Sequence, residues 1–143
     1  MTLSEVKTPA DSAALPFGLR TQLAAAAAWS PNPKNPPLYL DLPTKDGVVQ
    51  PDVIARWAAN APLAFVHQYV GNLRRYHGIA IDVGDKDNLR VDAGKLHDAL
   101  DSYGIANTFE IYQGTHTSRM AVRFQNDVLP FFGKNLCSTV NCR

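Results

Sequence analysis

Two short stretches of this chain carry residues able to move protons, each just after a strand-like run. Gly84-Asp85-Lys86-Asp87-Asn88-Leu89 follows the β-branched segment Gly78 to Val83, and Gln113-Gly114-Thr115-His116-Thr117 follows Thr108 to Tyr112. A carboxylate that accepts a hydrogen bond from one imidazole nitrogen fixes the tautomer and leaves the other nitrogen as a general base. Asp87 and His116 are the pair these residue types point to, with Asp85 as the substitute acid. Taken singly, each stretch is ordinary: an Asp-rich loop is most often a solvated turn, and a lone loop histidine is most often incidental. Asp85, Asp87 and Asn88 also hint at calcium. The EF-hand pattern fails, however, because Leu89 and Arg90 occupy its later part and no closing Glu follows. His67, His77, His97 and His116 show no paired ligand spacing, which argues against zinc. Neither a metal nor a cofactor is expected.

The elements that must position these loops can be read from periodicity. Residues Met1 to Arg20 show no clean period and contain Pro9, Pro16 and Gly18, so residues 1–22 read as an irregular arm. Leu23 to Trp29 is an alanine-rich run stopped by Ser30-Pro31-Asn32-Pro33. Its composition favours helix, with a short buried strand competing. Pro31 to Pro51 reads as a long proline-rich excursion. Val53, Ile54 and Trp57 then begin a helical face, Pro62 interrupts it, and Leu63, Val66, Val70 and Leu73 resume it. Trp57 is either a core aromatic on that helix, the commoner case, or part of a cleft wall.

A buried strand over Gly78 to Val83 follows, ending at Gly84. Ala93, Leu96, Leu100 and Tyr103 form one face of a helix that Gly104 can close, and Thr108 to Tyr112 is a second strand. Met120, Phe124, Val128 and Phe131 mark a last helix, bent or restarted at Pro130. Strand, helix, strand in this order implies parallel strands joined by a crossover helix, an α/β arrangement. Working groups then gather past the carboxyl ends of the strands, where Asp87 and His116 both stand.

Composition sets the outer limits. The chain has 143 residues, of which 45% are hydrophobic, enough for one ordinary core. Its 14 basic and 13 acidic residues nearly cancel, which leaves no electrostatic footprint for nucleic acid or an anionic membrane. No stretch approaches the roughly 20 apolar residues of a membrane-spanning helix. The first twenty residues, with Glu5 and Asp11, lack the basic start and apolar run of a signal peptide. Cys137 and Cys142 fit either a small tail disulfide or two free thiols, so the compartment stays open.

The strand and loop Gly78 to Leu89, the helix through Gly104 and the run Glu110 to His116 together resemble the end of the putative-esterase family. That family of α/β-hydrolases includes feruloyl and acetylxylan esterases, enterochelin esterase and S-formylglutathione hydrolase. The resemblance covers about Ala24 to Leu136, the second half of a typical member, and leaves residues 137–143 as a tail. It implies the C-terminal part of an α/β-hydrolase fold over 23–136 and a triad in the order Ser, acid, His. The acid in a Gly-x-x-Asp loop matches Gly84 to Asp87, and the base in a Gly-x-His turn matches Gly114 to His116. Ala24 to Ser30 followed by Pro31 resembles the family's strand just after the nucleophile, which turns the reading of that run from helix to strand.

The nucleophile is missing. No Gly-x-Ser-x-Gly occurs, and Ser4, Ser12, Ser30, Ser102, Ser118 and Ser138 all lack its flanking glycines. The oxyanion-hole loop is absent as well. The resemblance therefore implies a serine carboxyl-ester hydrolase of small-molecule esters, whose missing N-terminal half lies in cis or in trans, with the isolated chain inactive. The alternative is a non-catalytic fragment or diverged homologue acting only in binding or assembly. With central strands lacking, Ala24 to Trp29 would expose an unpaired edge, so the chain is expected to self-associate, to rely on the missing half, or to recruit Met1 to Arg20 as a cover.

Overall fold

The computed structural model describes residues 3–136. The alanine run near its start is helical: α1 spans Phe17–Trp29 and stops at Ser30, whose N–H still donates to the Ala26 carbonyl. The strand expected over Ala24 to Trp29 is therefore corrected to helix. The run has no β-branched residue, and no neighbouring strand pairs with it, so alanine's helix propensity prevails.

The segment before α1 also has structure. Short 3-10 helices cover Leu3–Glu5 and Pro9–Ala14, where the irregular arm was expected. A capping box closes the second: Thr8 Oγ1 accepts from Asp11 N–H, and Asp11 Oδ2 accepts from Thr8 N–H at 2.7 Å. These backbone donors hold the Asp11 carboxyl below its usual range.

Contacts divide the chain into two units, Met1–Phe65 and Val66–Arg143. In the first, the proline-rich excursion contains a minimal hairpin of β1 (Thr44–Lys45) and β2 (Val48–Val49). Its two-residue turn, Asp46-Gly47, has positive φ at both positions, the type I′ geometry that suits the twist of a hairpin. Two helices follow, α2 (Pro51–Ala59) and α3 (Pro62–Phe65). The fully buried Ser30 donates its hydroxyl to the Asp41 carbonyl at 2.7 Å and accepts from Trp57 Nε1 at 2.9 Å. Half-buried, Trp57 also packs edge-on against Trp29.

The second unit opens with a 3-10 turn at Val66–Tyr69 and α4 (Val70–Leu73). It then runs β3 (Ala80–Gly84), α5 (Arg90–Ser102) and β4 (Thr108–Tyr112). Gly104, at φ +65°, ends α5 as its sequence position suggests. Strands β3 and β4 pair in parallel from Ala80 opposite Thr108 to Gly84 opposite Tyr112. The chain is thus mixed α/β with a small parallel sheet. Val66, Leu100 and Ile105 form the buried centre of this second unit, joined by Val70, Ile79, Ile81 and Leu96.

The opposite sheet face is polar, with Asp82 directly beside Glu110. Like charges placed so repel. Arg123, on α6 (Met120–Arg123), relieves this by donating Nε to Asp82 at 2.6 Å and both Nη groups to Glu110. A π-turn over Phe124–Val128 joins α6 to α7 (Leu129–Asn135). Pro130 accounts for it: without an N–H it cannot serve the carbonyl four residues back, and the wider turn relieves the ring clash.

The unpaired edge expected at Ala24 to Trp29 falls instead on the outer sides of β3 and β4, which form a sheet of two strands only. Among the described residues no helix is long and apolar enough to cross a membrane. Cys137 and Cys142 lie outside the described residues.

Candidate active site

The pairing of Gly84 with Tyr112 brings the loops that follow β3 and β4 out at the same end of the sheet. The ladder runs on past the strands: Asp85 N–H donates to the Tyr112 carbonyl at 2.8 Å and Lys86 N–H to the Gly114 carbonyl at 3.0 Å. So close an approach requires glycine. A methyl group on Gly84 would stand 2.3 Å from the Gly114 carbonyl oxygen. Asp85, the substitute acid, turns its carboxylate to the Gly114 N–H at 2.8 Å.

Asp87 sits at the entrance to α5. Its Oδ1 accepts from the Leu89 N–H at 2.9 Å, an Asx turn that fixes the carboxylate plane. Its Oδ2 lies 2.9 Å from His116 Nδ1. The Leu89 N–H first, and His116 second, hold the Asp87 carboxyl below its usual range. Ionised, it can only accept, so Nδ1 carries the proton and donates it to Asp87. His116 Nε2 is then the basic nitrogen, without a hydrogen-bond partner among the described residues. The side chain of Asp87 is 8% exposed and that of His116 67% exposed. The orienting acid is covered and the base is open to whatever approaches.

The turn bearing His116 is tied down locally. Ser118 Oγ accepts from Thr115 N–H at 2.6 Å, and the Tyr112 hydroxyl donates to the Thr115 carbonyl at 3.2 Å. Arg119 then takes a left-handed conformation, φ +61°, to start α6. The Ser118 hydroxyl is engaged in this turn, accepting from the Thr115 N–H and donating to the Thr115 carbonyl, and Ser30 is buried within the first unit. Sequence reading placed Asp87 and His116 together, as they are found. It did not foresee the backbone approach of Gly84 to Gly114, although a glycine at the end of β3 and another two residues beyond β4 are its signal.

Among the described residues no group of three or more His, Cys, Asp or Glu is placed to hold a metal ion. A groove of about 680 Å3 runs along the polar sheet face, between Gly78 to Asp82 and Arg123 to Asn135. Neither Asp87 nor His116 lines it, so it is not a substrate pocket for the dyad. No family model matches this chain, and no curated protein matches it.

Proposed function

We propose that this chain is the C-terminal part of an α/β-hydrolase esterase, carrying the acid and base of a serine carboxyl-ester hydrolase but not its nucleophile. The observation that supports the reading is the bond from His116 Nδ1 to Asp87 at the carboxyl end of parallel strands. In this reading Nε2 accepts the proton of a serine hydroxyl supplied from elsewhere, and the covered Asp87 carboxylate stabilises the imidazolium. The proton then passes to the departing alkoxide of a small-molecule ester. A base and its orienting acid have nothing to activate in the isolated chain.

The coding sequence upstream of Met1 tests this directly. An in-frame Gly-x-Ser-x-Gly supports it; without one, hydrolysis needs a nucleophile from another chain. The chain alone should leave a short-chain aryl ester at the background rate. A rate that disappears on His116→Ala would show that this chain holds a nucleophile of its own.

One observation favours a second reading, a non-catalytic fragment or homologue acting in binding or assembly. Among the described residues the parallel sheet has no third strand on either side, and an open edge is a template for another chain. Unchanged hydrolysis when the chain joins a nucleophile-bearing half would favour that reading.

A further inference from the structure

Parallel pairing follows a fixed rule: a residue facing the partner strand donates its N–H to one rung and accepts at its carbonyl from the next. Ile79 obeys it, accepting from Thr108 N–H at 3.0 Å. Asp85 obeys the first half, donating to the Tyr112 carbonyl. By the same rule its carbonyl should accept the Gly114 N–H. It does not; that N–H goes to Asp85 Oδ1 at 2.8 Å, and the Asp85 carbonyl accepts from Arg90 Nη1 at 3.2 Å. The side chain has replaced its own backbone in the ladder. This frees the chain to turn toward Asp87 and α5 while the rung to the opposite loop is kept.

We infer that Asp85 is a positioning residue for His116, its carboxylate supplying the last rung that clamps the base loop onto the acid loop. The inference rests on the esterase reading of the dyad. The spacing gives it force: Asp85 to Gly114 and Asp87 to His116 share one offset of 29 residues, two positions apart along both loops. The clamp and the dyad are consecutive links between the same two segments. Lys86 N–H to the Gly114 carbonyl holds Gly114 from its other side. Without the Asp85 rung, Gly114 keeps one backbone bond to the acid loop and can pivot about it. His116 follows two residues later and carries that pivot to its ring.

The test uses the full chain and no substrate. At about pH 8, where a free imidazole is neutral, ring 15N shifts report which nitrogen of His116 carries the proton. The wild-type chain should show the Nδ1–H form held by Asp87, and Asp87→Ala gives the spectrum of an unheld ring. Asp85→Ala should move His116 most of the way to that unheld spectrum. Asp85→Asn, which keeps an acceptor oxygen in place, should retain the wild-type signature, a rescue that loss of charge alone would not allow. If Asp85→Ala fails to fold, Asp85→Glu replaces it: the charge stays, the acceptor moves by one methylene, and the signature should weaken. A held wild-type ring that neither Asp85→Ala nor Asp85→Glu disturbs overturns the role of Asp85 and leaves the Asp87–His116 pair standing. A wild-type ring with no Nδ1–H preference overturns the pair, and the positioning role with it.

Discussion

A single methyl group at Gly84 probes how the two loops are held. An alanine Cβ there would meet the Gly114 carbonyl oxygen at 2.3 Å and its carbon at 2.8 Å, where real Cβ contacts stay beyond 3.0 Å. The obstacles are backbone atoms, so no side chain can swing aside. Relief requires the loops to part by at least 0.7 Å at that point. The Asp85–Gly114 bond would then stretch from 2.8 Å and the Lys86–Gly114 bond from 3.0 Å, both to the limit of hydrogen bonding or past it. Two lost bonds cost about 2 kcal/mol, and over-packing that fails to relax costs about 1–3 kcal/mol. The expected loss for Gly84→Ala is therefore about 2–3 kcal/mol, a urea midpoint lower by about 2–3 M for a slope near 1 kcal/mol/M. Trp29 and Trp57 both lie in the first unit, so backbone amide signals from β3 and β4 are the probe. Gly94→Ala is the control: inside α5, its Cβ would meet only Phe109 Cζ at 4.0 Å. It should stabilise by about 0.5–1 kcal/mol. Equal midpoints for wild type and Gly84→Ala, with the Gly114 amide signal unmoved, would refute the close approach.

Asp11, Asp41, Asp87 and Glu110 all have carboxyls held below their usual range, by backbone N–H groups, by Arg56, by Leu89 N–H and by Arg123 respectively. A lowered folded value contributes stability above the unfolded value and loses it as pH falls. The urea midpoint should be level near neutrality and decline below about pH 4; a midpoint level down to pH 3 would contradict these bonds. Trp57→Phe removes the Nε1 donor to the buried Ser30 hydroxyl and should cost about 1–2 kcal/mol, read from Trp29 emission during unfolding. Ile111, Met120 and Phe124 are 50%, 64% and 55% exposed, and β3 and β4 pair only with each other among the described residues, so sedimentation should become concentration-dependent at micromolar levels. A well-behaved monomer would show that these surfaces tolerate water.

The elements that carry the candidate site were the legible ones. A compact β-branched run ending at Gly84 marked β3, the short run Thr108 to Tyr112 marked β4, and the spacing of Ala93, Leu96 and Leu100 marked α5, because local sequence decides these. The misreading of Ala24 to Trp29 arose where a resemblance was set above alanine's own preference. The hairpin was missed although Lys45-Asp46-Gly47-Val48 carries the type I′ signal, since the surrounding prolines suggest loop throughout. Arg123 gave no local sign at all. It lies 41 residues from Asp82 and 13 from Glu110, and only the register that sets those two acids side by side creates the need for it.

That contrast bears on what holds the dyad. Two parallel strands with open edges are a weak platform, and the buried centre beneath them is small. The placement of His116 opposite Asp87 must then come from short-range constraints. These are present: the Asx turn at Asp87, the Thr115–Ser118 turn, and the rungs from Asp85 and Lys86 to Gly114. Each spans a few ångströms and needs no partner outside these loops. In the esterase reading, a segment bringing a serine meets an acid and base already oriented, and its arrival need only complete the sheet. Pre-orientation of this kind lowers the entropy cost of assembly at the reacting atoms, which is why the clamp, more than the core, is the feature to test first.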